Sequence, residues 1–285
     1  MNLKQLIQAS SLPQLEAEIL ISFIIKKPRE FVIVHQDYKI SELNQKKFLI
    51  AEKKRLNHEP IAYLISYKEF YGLKFKVDKN VLIPRPETEM LVDLVLDYAN
   101  SQIKDLNFID IGTGSGAIII SLVKNCKQKY SNVYDSASFT ALDISAAALN
   151  IAKFNSKQQE LNKKIEFVES DLLGSLKPEE LVEKDLVITA NLPYLTPYQV
   201  KSEPSISKEP KLALDGGAGG LKYYKRLLKD LKQIKFTSLF LILEINPKQT
   251  QEIKKLIKKQ WPNSKPKIIK DLRKQNRFVL VEIKR

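Results

Sequence analysis

The sequence predicts an α/β protein in which a mostly parallel sheet, covered by helices on both faces, follows a small helical unit and a β-hairpin. From residue 106 onward, short apolar runs alternate with helical patterns, and strands separated by helices favour parallel pairing in one sheet. Before Pro60 the apolar residues recur only at helical spacing. Around residues 70–81 they alternate over short runs broken by Gly72, which is typical of a hairpin. The predicted division is a helical unit at residues 1–69, a hairpin and linker at residues 70–89, and the α/β domain at residues 90–285.

Two amphipathic helices are predicted in the N-terminal unit. The first carries apolar residues at helical spacing between Leu12 and Ile24, and Ser11-Leu12-Pro13 supplies a cap with a proline near the first turn. The second covers residues 41–56. Its predicted apolar side consists of Leu43, Phe48, Leu49 and Leu56.

The linker at residues 81–89 is predicted to be extended up to Pro86, because two prolines restrict its backbone, and to open a helix from Glu87. Strands are predicted at residues 108–111, 139–142, 165–168, 186–190, 239–245, 267–269 and 277–283. Helices are predicted at residues 117–123, 146–159, 223–234 and 249–259. The last two strands have only a short connection and are expected to pair antiparallel. Residues 131–138 are expected to form a surface loop.

Composition limits the function classes. The chain of 285 residues carries 47 lysines and arginines against 33 acidic residues, a formal charge of +14. This excess suits a partner rich in phosphate or carboxylate, such as RNA or a ribosome-bound factor, although many lysines stand in scattered pairs typical of solvated faces. One cysteine, Cys126, excludes an intrachain disulfide, and with only two histidines it cannot form a Cys/His zinc cluster, so no metal is expected.

The N-terminus lacks the apolar run of a signal peptide, and no apolar stretch is long enough to cross a bilayer. We therefore expect a cytoplasmic protein with no membrane partner. A monomer is a separate expectation.

A glycine-rich segment, Asp110-Ile111-Gly112-Thr113-Gly114-Ser115-Gly116, follows one predicted strand and opens a helix. Glycines there let the backbone turn tightly and approach a ligand at the carboxyl end of the strand. No Gly-Lys-Ser/Thr follows, and the third glycine comes one residue early for a dinucleotide loop. The tighter loop suits a ligand without a pyrophosphate, such as the amino-acid end of S-adenosylmethionine. We predict cofactor contacts from Gly112, Thr113, Gly114, Ser115 and Gly116; a mere tight turn is the alternative.

Acidic residues follow the next two predicted strands. Asp143 is expected to accept hydrogen bonds from both ribose hydroxyls, with the capping of the next helix as the alternative role. Asp171 is expected to accept from an exocyclic amine, and Leu172 to cover the purine. That signal is weaker, because an aspartate after a strand is often only turn chemistry.

The tetrapeptide Asn191-Leu192-Pro193-Tyr194 follows the fourth predicted strand, at the sheet edge where ligands bind in this architecture. An amide nitrogen is a poor nucleophile. Hydrogen bonds from its NH2 group to the Asn191 side-chain oxygen and a backbone carbonyl would fix it and stabilise the charge that develops during transfer. Tyr194 offers a flat face for a planar amide or base and a ring that attracts a cation. Asn191 is also expected to contact the cofactor.

The chain resembles the release-factor glutamine methyltransferases, the HemK family, over nearly its whole length. The similarity is carried by Glu59-Pro60-Ile61-Ala62-Tyr63-Leu64, Phe70-Tyr71-Gly72, residues 81–89, the glycine loop, Glu209-Pro210, Ala213-Leu214-Asp215-Gly216-Gly217, Glu244-Ile245 and residues 273–277. The resemblance implies a small helical substrate-recognition domain and a Rossmann-like, seven-stranded methyltransferase domain. It also implies methyl transfer from S-adenosylmethionine to N5 of the glutamine in the Gly-Gly-Gln motif of release factors, which would be the protein partners.

The chain departs from the family pattern at three positions. Leu192 replaces the usual proline, Ala218 an acidic residue and Asn246 a glycine. The group expected to accept a hydrogen bond at position 192 is the backbone carbonyl, so we expect the chemistry to survive. Asn-Leu-Pro-Tyr is also the form found in rRNA adenine dimethyltransferases, which keeps methylation of an adenine or guanine in RNA or DNA as an alternative. A non-catalytic RNA- or ribosome-binding protein is the third hypothesis.

Overall fold

The structure, a computed structural model, describes residues 1–102 and 105–284 and divides the chain into two compact units. One consists of Met1–Tyr67 with Glu203–Lys208, and the other of Lys68–Ser202 with Glu209–Arg285. The predicted fold class is confirmed, since a helical unit precedes a two-stranded hairpin and a seven-stranded, mainly parallel sheet. Within the described part of the chain, no helix combines the length and the apolar character needed to cross a membrane.

The N-terminal unit is a cluster of short helices around an apolar core. Its helices are α1 (Leu3–Ala9), α2 (Gln14–Ile25), α3 (Arg29–Val34), α4 (Glu42–Leu56) and α5 (Ile61–Leu64). The largest fully buried side chains of this core are Leu3, Leu20, Ile21 and Phe48.

Two predictions about these helices are wrong. Ser11 does not cap α2, which begins after Pro13 without a side-chain cap. Of the predicted apolar side of α4, only Phe48 is buried, while Leu43, Leu49 and Leu56 are exposed. The reason is the helical period: at about 100° per residue, Leu49 points well away from the direction of Phe48. Leu56 follows Leu49 after seven residues and lies on that same outer face.

The hairpin comprises β1 (Tyr67–Phe70) and β2 (Leu73–Lys76), slightly earlier than the sequence predicts. Tyr71 and Gly72 form its turn, and both have positive φ angles, of 52° and 70°. Such a pair is the conformation that matches the twist of two-residue hairpin turns.

The remaining elements alternate along the chain. The helices are α6 (Glu89–Asn100), α7 (Ala117–Lys129), α8 (Ser131–Ser136), α9 (Ala146–Gln158), α10 (Pro197–Ser202), α11 (Lys222–Gln233) and α12 (Thr250–Gln260). The strands are β3 (Leu106–Ile111), β4 (Ser138–Asp143), β5 (Glu166–Glu169), β6 (Asp185–Ala190), β7 (Ser238–Glu244), β8 (Lys267–Lys270) and β9 (Asn276–Lys284). Short 3₁₀ helices occur at Pro86–Thr88, Pro178–Leu181, Pro204–Ile206, Lys211–Ala213 and Pro247–Gln249.

The seven strands have the order β5-β4-β3-β6-β7-β9-β8. The first five are parallel, while β9 runs antiparallel to both β7 and β8, which confirms the predicted closing pair. Successive residues of a strand point to opposite faces, so Phe108 and Ile109 of β3 enter two different apolar clusters. Helices α6 and α7 cover the first cluster, and α11 and α12 cover the second.

The predicted surface loop at residues 131–138 is wrong. These residues form α8 and the first residue of β4. Val133 is buried and Tyr134 packs against the cluster that contains α7, so this polar segment is ordered by two apolar side chains.

Replacing Leu241 by alanine is expected to lower the free energy of unfolding by about 2–5 kcal/mol, because Leu241 is fully buried in β7, an interior strand of the sheet. The fluorescence of Trp261, the only tryptophan, reports on this unit during a urea titration. The control is Leu272→Ala: Leu272 is 92% exposed, and a change within about 0.5 kcal/mol is expected. Equal effects of the two substitutions would contradict this placement of the core.

Candidate active site

The strands β3, β4 and β6 lie side by side and end at the same edge of the sheet. Ile111 pairs with Leu142 on one side and with Ala190 on the other. The three loops that follow these strands therefore meet, although they are far apart in the sequence. A cavity of about 250 Å³ opens at this edge. The predicted site residues that line it are Gly112, Thr113, Gly114, Ser115, Asp143, Asp171, Leu172, Asn191, Leu192 and Pro193; Gly116 and Tyr194 are not among its lining residues.

The glycine loop needs its glycines for two different reasons. Gly112, Gly114 and Gly116 all have positive φ angles, of 72°, 56° and 80°, which glycine adopts without strain. A Cβ at Gly114 would meet no atom within 4 Å, so this part of the loop is open on the cavity side. A Cβ at Gly116 would lie 2.7 Å from a methyl carbon of Ile120, so Gly116 permits close packing at the start of α7 instead.

Asp110 holds the glycine loop in place, a role that is not predicted from the sequence. It is fully buried, and its two carboxylate oxygens accept hydrogen bonds of 2.7 Å from the hydroxyls of Thr113 and Thr189. Burial raises the pKa of Asp110 to about 6, although these two hydrogen bonds act in the opposite direction. The carboxylate thus ties the loop after β3 to the neighbouring strand β6.

Asp143 connects its own loop to the glycine loop. One carboxylate oxygen accepts from the Gly114 backbone N–H (2.8 Å) and the other from the Ser145 N–H (2.9 Å). Burial raises the pKa of Asp143, and these backbone hydrogen bonds oppose the shift. The residue that caps α9 is Ser145, whose hydroxyl accepts from the Ala148 N–H. Each carboxylate oxygen has more than one acceptor site, so Asp143 can also accept from hydroxyls of a ligand in the cavity.

Asp171 and Leu172 lie at another side of the cavity. Asp171 is half-exposed and forms an ion pair of 2.8 Å with Arg226. Exposed pairs of this kind contribute little to stability, and the second carboxylate oxygen of Asp171 stays available to a donor. Leu172 is buried and has a positive φ of 56°, which turns the chain after β5 toward the cavity.

A hydrogen bond and packing contacts fix the tetrapeptide that follows β6. The side-chain nitrogen of Asn191 donates to the hydroxyl oxygen of Thr88 over 3.4 Å. Leu192 is buried and packs on the glycine loop, since a Cβ added at Gly112 would lie 3.2 Å from a Leu192 methyl carbon. A buried leucine thus fills the position at which the family usually has proline.

The backbone carbonyl of Leu192 keeps acceptor capacity. The Tyr224 hydroxyl lies 2.5 Å from the carbonyl oxygen of Glu244 and 3.1 Å from that of Leu192. A phenol has a single hydrogen, so it cannot donate fully to both carbonyls, and a carbonyl oxygen can accept two hydrogen bonds. The Leu192 carbonyl can therefore accept a further donor.

Tyr194 is anchored through its ring and its backbone, and its predicted contact with the substrate stays a prediction. It is half-buried and packs against the apolar cluster that contains α11 and α12. Burial raises the pKa of its hydroxyl well above the usual range. Its carbonyl oxygen accepts from the side chain of Gln249 (2.9 Å), so its backbone anchors the tetrapeptide.

A second glycine-rich segment, residues 216–220, packs against the backbone of the tetrapeptide. The N–H of Leu195 donates to the Leu214 carbonyl, and the N–H of Gly216 donates to the Leu195 carbonyl. A Cβ at Gly216 would collide with the carbonyl oxygen of Pro193, and one at Gly220 with that of Tyr194. These glycines are therefore required by the close approach of two backbones.

The linker before α6 forms one wall of the cavity through Val81, Leu82, Pro84, Arg85 and Thr88. The buried carboxylate of Glu209 fixes this wall: it accepts from the Ile83 N–H (3.0 Å) and from the Arg85 guanidinium (2.6 Å).

Thr88 is fixed separately, because its hydroxyl donates to the buried carboxylate of Glu244 over 2.7 Å. No individual role is predicted from the sequence for Thr88, Glu209, Tyr224 or Glu244. Their partners are distant in sequence, so only the family resemblance, which includes the linker, Glu209-Pro210 and Glu244-Ile245, pointed to this region.

The residues that line the cavity have the chemical character that S-adenosylmethionine requires. It combines an open glycine turn, a carboxylate at the end of β4 and an apolar wall that includes Ile118 and Leu172. Among residues 1–102 and 105–284, no group of three or more histidine, cysteine, aspartate or glutamate side chains is arranged to hold a metal ion.

Comparison with known families identifies the class. A family described as "PrmC N-terminal domain" matches residues 3–65. A family described as "Methyltransferase domain" matches residues 103–278, and this second match alone covers more than half of the chain. Fold, site and match together define a methyltransferase, a class that uses S-adenosylmethionine as its methyl donor.

Curated relatives identify the family. The chain is 32% identical to a release factor glutamine methyltransferase of Bacillus cereus, over 93% of this chain and 91% of that protein. It is 39% identical to one of Streptococcus pneumoniae, over 79% of this chain and 75% of that protein. It also matches a bifunctional methyltransferase of Rickettsia conorii at 32% identity but spans only 54% of that protein's length. The chain belongs to the release factor glutamine methyltransferase family.

Solved structures agree on the fold. The human METTL16 catalytic domain, solved with a MAT2A 3′UTR hairpin, aligns with a TM-score of 0.58 at 17% identity over 93% of this chain and 92% of that one. The N-terminal domain of human METTL16 in complex with SAH aligns with a TM-score of 0.51 at 18% identity, over 92% of this chain and 93% of that one. At such low identity the likeness shows the fold alone.

Gly220→Ala is expected to reduce methyl transfer at least about tenfold, because a Cβ at this positive-φ position displaces the Tyr194 carbonyl and with it the tetrapeptide. Gly219→Ala is the matched control, since a Cβ there meets nothing within 4 Å. Steady-state rates of both variants test this, and similar rates would contradict the supporting role of Gly220.

Asp143→Asn is expected to weaken the binding of S-adenosylmethionine about tenfold or more, a loss of about 1.4 kcal/mol, because an amide cannot accept through both of its ends. Isothermal titration calorimetry measures the dissociation constant. Asp135→Asn, an exposed aspartate in α8 away from the cavity, is the control. An unchanged affinity of the Asp143 variant would remove Asp143 from the cofactor site.

Proposed function

We propose that this protein transfers a methyl group from S-adenosylmethionine to N5 of the glutamine in the Gly-Gly-Gln motif of peptide-chain release factors. The observation that carries the proposal is that Asn191 and the glycine loop line the same cavity. The names of the relatives in Bacillus cereus and Streptococcus pneumoniae support the choice of substrate.

In this proposal the side chains act by positioning rather than as bases. Bound S-adenosylmethionine supplies an electrophilic methyl group on a positively charged sulfur. The side-chain oxygen of Asn191 accepts one N–H of the glutamine amide, and the carbonyl of Leu192 accepts the other. Both hydrogen bonds orient the nitrogen and strengthen as it becomes positive, and electrostatic contacts of this kind accelerate reactions strongly. The proton leaves after the transfer, so a strong base is not required.

We propose the following roles for the cofactor side. The backbone from Gly112 to Gly116 approaches the amino-acid end, Asp143 accepts from the ribose hydroxyls, and Asp171 with Leu172 contacts the adenine. The walls made by Leu192 and the linker exclude water from the reacting atoms. The backbone carbonyl of Tyr194 accepts from Gln249, and this contact helps to keep Asn191 in position.

We propose that residues 1–69 recognise the release factor, that residues 70–89 connect this unit to the active site, and that residues 90–285 carry the reaction. The matched family name for residues 3–65 and the formal charge of +14 support this division and a place close to the ribosome or RNA. A cytoplasmic monomer fits this proposal.

Methylation of a nucleic-acid base is the rival function. Leu192 and the charge favour it, but the relatives that align with most of this chain are named for release factors. The RNA-bound neighbour contributes only the fold. A non-catalytic binder is disfavoured, because such a protein has no need for Asn191 and Asp143 around a shared cavity.

Labelled S-adenosylmethionine, incubated with the protein and either purified release factor or rRNA, distinguishes these functions. Label is expected on the release factor and should disappear when the glutamine of its Gly-Gly-Gln motif is replaced. Label on rRNA alone would overturn the proposal. Cofactor binding without transfer to either substrate would support a binding protein.

Asn191→Ala is expected to reduce transfer to the release factor by at least about a hundredfold, because the amide nitrogen loses its acceptor. Binding of S-adenosylmethionine should change less than about threefold, which corresponds to about 0.7 kcal/mol. Transfer rate and calorimetric affinity are measured on the same preparation. Parallel losses of both would show that Asn191 belongs mainly to the cofactor site.

A further inference from the structure

A chain of polar groups stands behind Asn191. The hydroxyl of Thr88 donates to the Glu244 carboxylate over 2.7 Å, and the same hydroxyl oxygen lies 3.4 Å from the side-chain nitrogen of Asn191. Thr88 and Glu244 are both buried. Thr88 also lines the cavity, whereas Glu244 lies behind it at the end of β7.

We propose that Thr88 and Glu244 are positioning residues, which fix the side-chain amide of Asn191 in the orientation that methyl transfer requires. The inference rests on the proposed function and adds a cause for the orientation of Asn191. Neither residue contacts the reacting atoms in this proposal.

The direction of the hydrogen bonds explains the fixation. A carboxylate can only accept, so the single hydrogen of Thr88 points to Glu244. The Thr88 oxygen can then only accept, and it selects the NH2 end of Asn191. The side-chain oxygen of Asn191 is left for the substrate amide. Rotating the Asn191 amide by 180° would present a donor to a donor.

The charge of Glu244 maintains this direction. A protonated Glu244 could donate to Thr88, and the Thr88 hydrogen would then be free to bond the oxygen of Asn191. The orientation that suits the substrate would lose its preference. Activity should therefore depend on the ionised form of Glu244.

Burial raises the pKa of Glu244 to about 7, while the hydrogen bond from Thr88 and nearby cations oppose the shift. The charged and titratable groups that act on Glu244 come from the linker, the loop after β6, α11 and β9. They are Arg85, Glu87, Tyr194, Tyr224 and Arg277. Both tyrosines have pKa values raised by burial and stay neutral in this range.

The first test compares Thr88→Val with Thr88→Ser. Valine has the shape of threonine without the hydroxyl, so kcat for release-factor methylation is expected to fall about ten- to a hundredfold. KM for the release factor and the affinity for S-adenosylmethionine should stay within about threefold. Serine restores the hydroxyl and should recover most of kcat.

Thr250→Val is the matched control. Its buried hydroxyl donates to the Pro247 carbonyl (2.7 Å), and Thr250 does not line the cavity. A kcat of this variant close to that of wild type shows that removing a buried threonine hydroxyl is not enough to slow the reaction.

The second test measures kcat against pH for wild type and Glu244→Gln. The wild-type kcat should rise as the pH increases through about 7, because Glu244 with its raised pKa is protonated below that value and ionised above it. Glutamine carries no charge at any pH, so the variant should have a lower kcat and lack this rise. Folding of each variant is checked by the urea titration of Trp261 fluorescence.

The possible results distinguish a failure of the positioning role from a failure of the proposed function. If wild type methylates the release factor but folded Thr88→Val has the wild-type kcat, the positioning role is overturned and the proposed function stands. If Thr88→Val and Thr88→Ser lose kcat equally, the hydroxyl is not the cause, which also overturns it. If wild type does not methylate any release factor, the proposed function and this inference both fall.

Discussion

The active site depends on the register of β3 against its two neighbours. Ile111 is level with Leu142 of β4 and with Ala190 of β6. Because the three strands are parallel, their carboxyl ends coincide, and the residues that follow them face one cavity. The N–H groups of Gly112 and Thr113 both donate to the Leu142 carbonyl, so the glycine loop is attached to the neighbouring strand as soon as it leaves its own. A shift of one residue would separate these loops.

Two buried carboxylates organise this edge in different ways. Asp110 accepts from Thr113 of the glycine loop and from Thr189 of β6, while Glu244, at the end of β7, accepts from Thr88. Burial raises the pKa of both, to about 6 and about 7. Burying charge is costly, and it is offset here by hydrogen bonds to both oxygens of Asp110 and to one oxygen of Glu244. The gain is a fixed direction of each hydrogen bond, which an apolar core cannot provide.

The linker before α6 explains why the family resemblance there is informative. Its extended backbone would be mobile without partners, yet Glu209 and Glu244 hold it against the sheet edge. The wall of the cavity is thus built from a segment that precedes the sheet in the chain. The glycine-rich segment at residues 216–220 has the matching role on the other side, where Gly216 and Gly220 permit the backbone of the tetrapeptide to come close.

The alternation of strands and helices, the glycine loop and the acidic strand ends can be predicted from the sequence, because these features depend on local residue spacing and backbone chemistry. The sequence-based prediction is wrong for the apolar side of α4, where the helical period turns Leu49 and Leu56 away from Phe48. It is also wrong for residues 131–136, where the burial of Val133 orders the helix α8. The side chains that contact Asn191 can be identified only from the folded structure. Thr88 is separated from Asn191 by 103 residues and from Glu244 by 156. A hydrogen bond acts over about 3 Å, so residues this far apart acquire a common role only when the sheet brings them together.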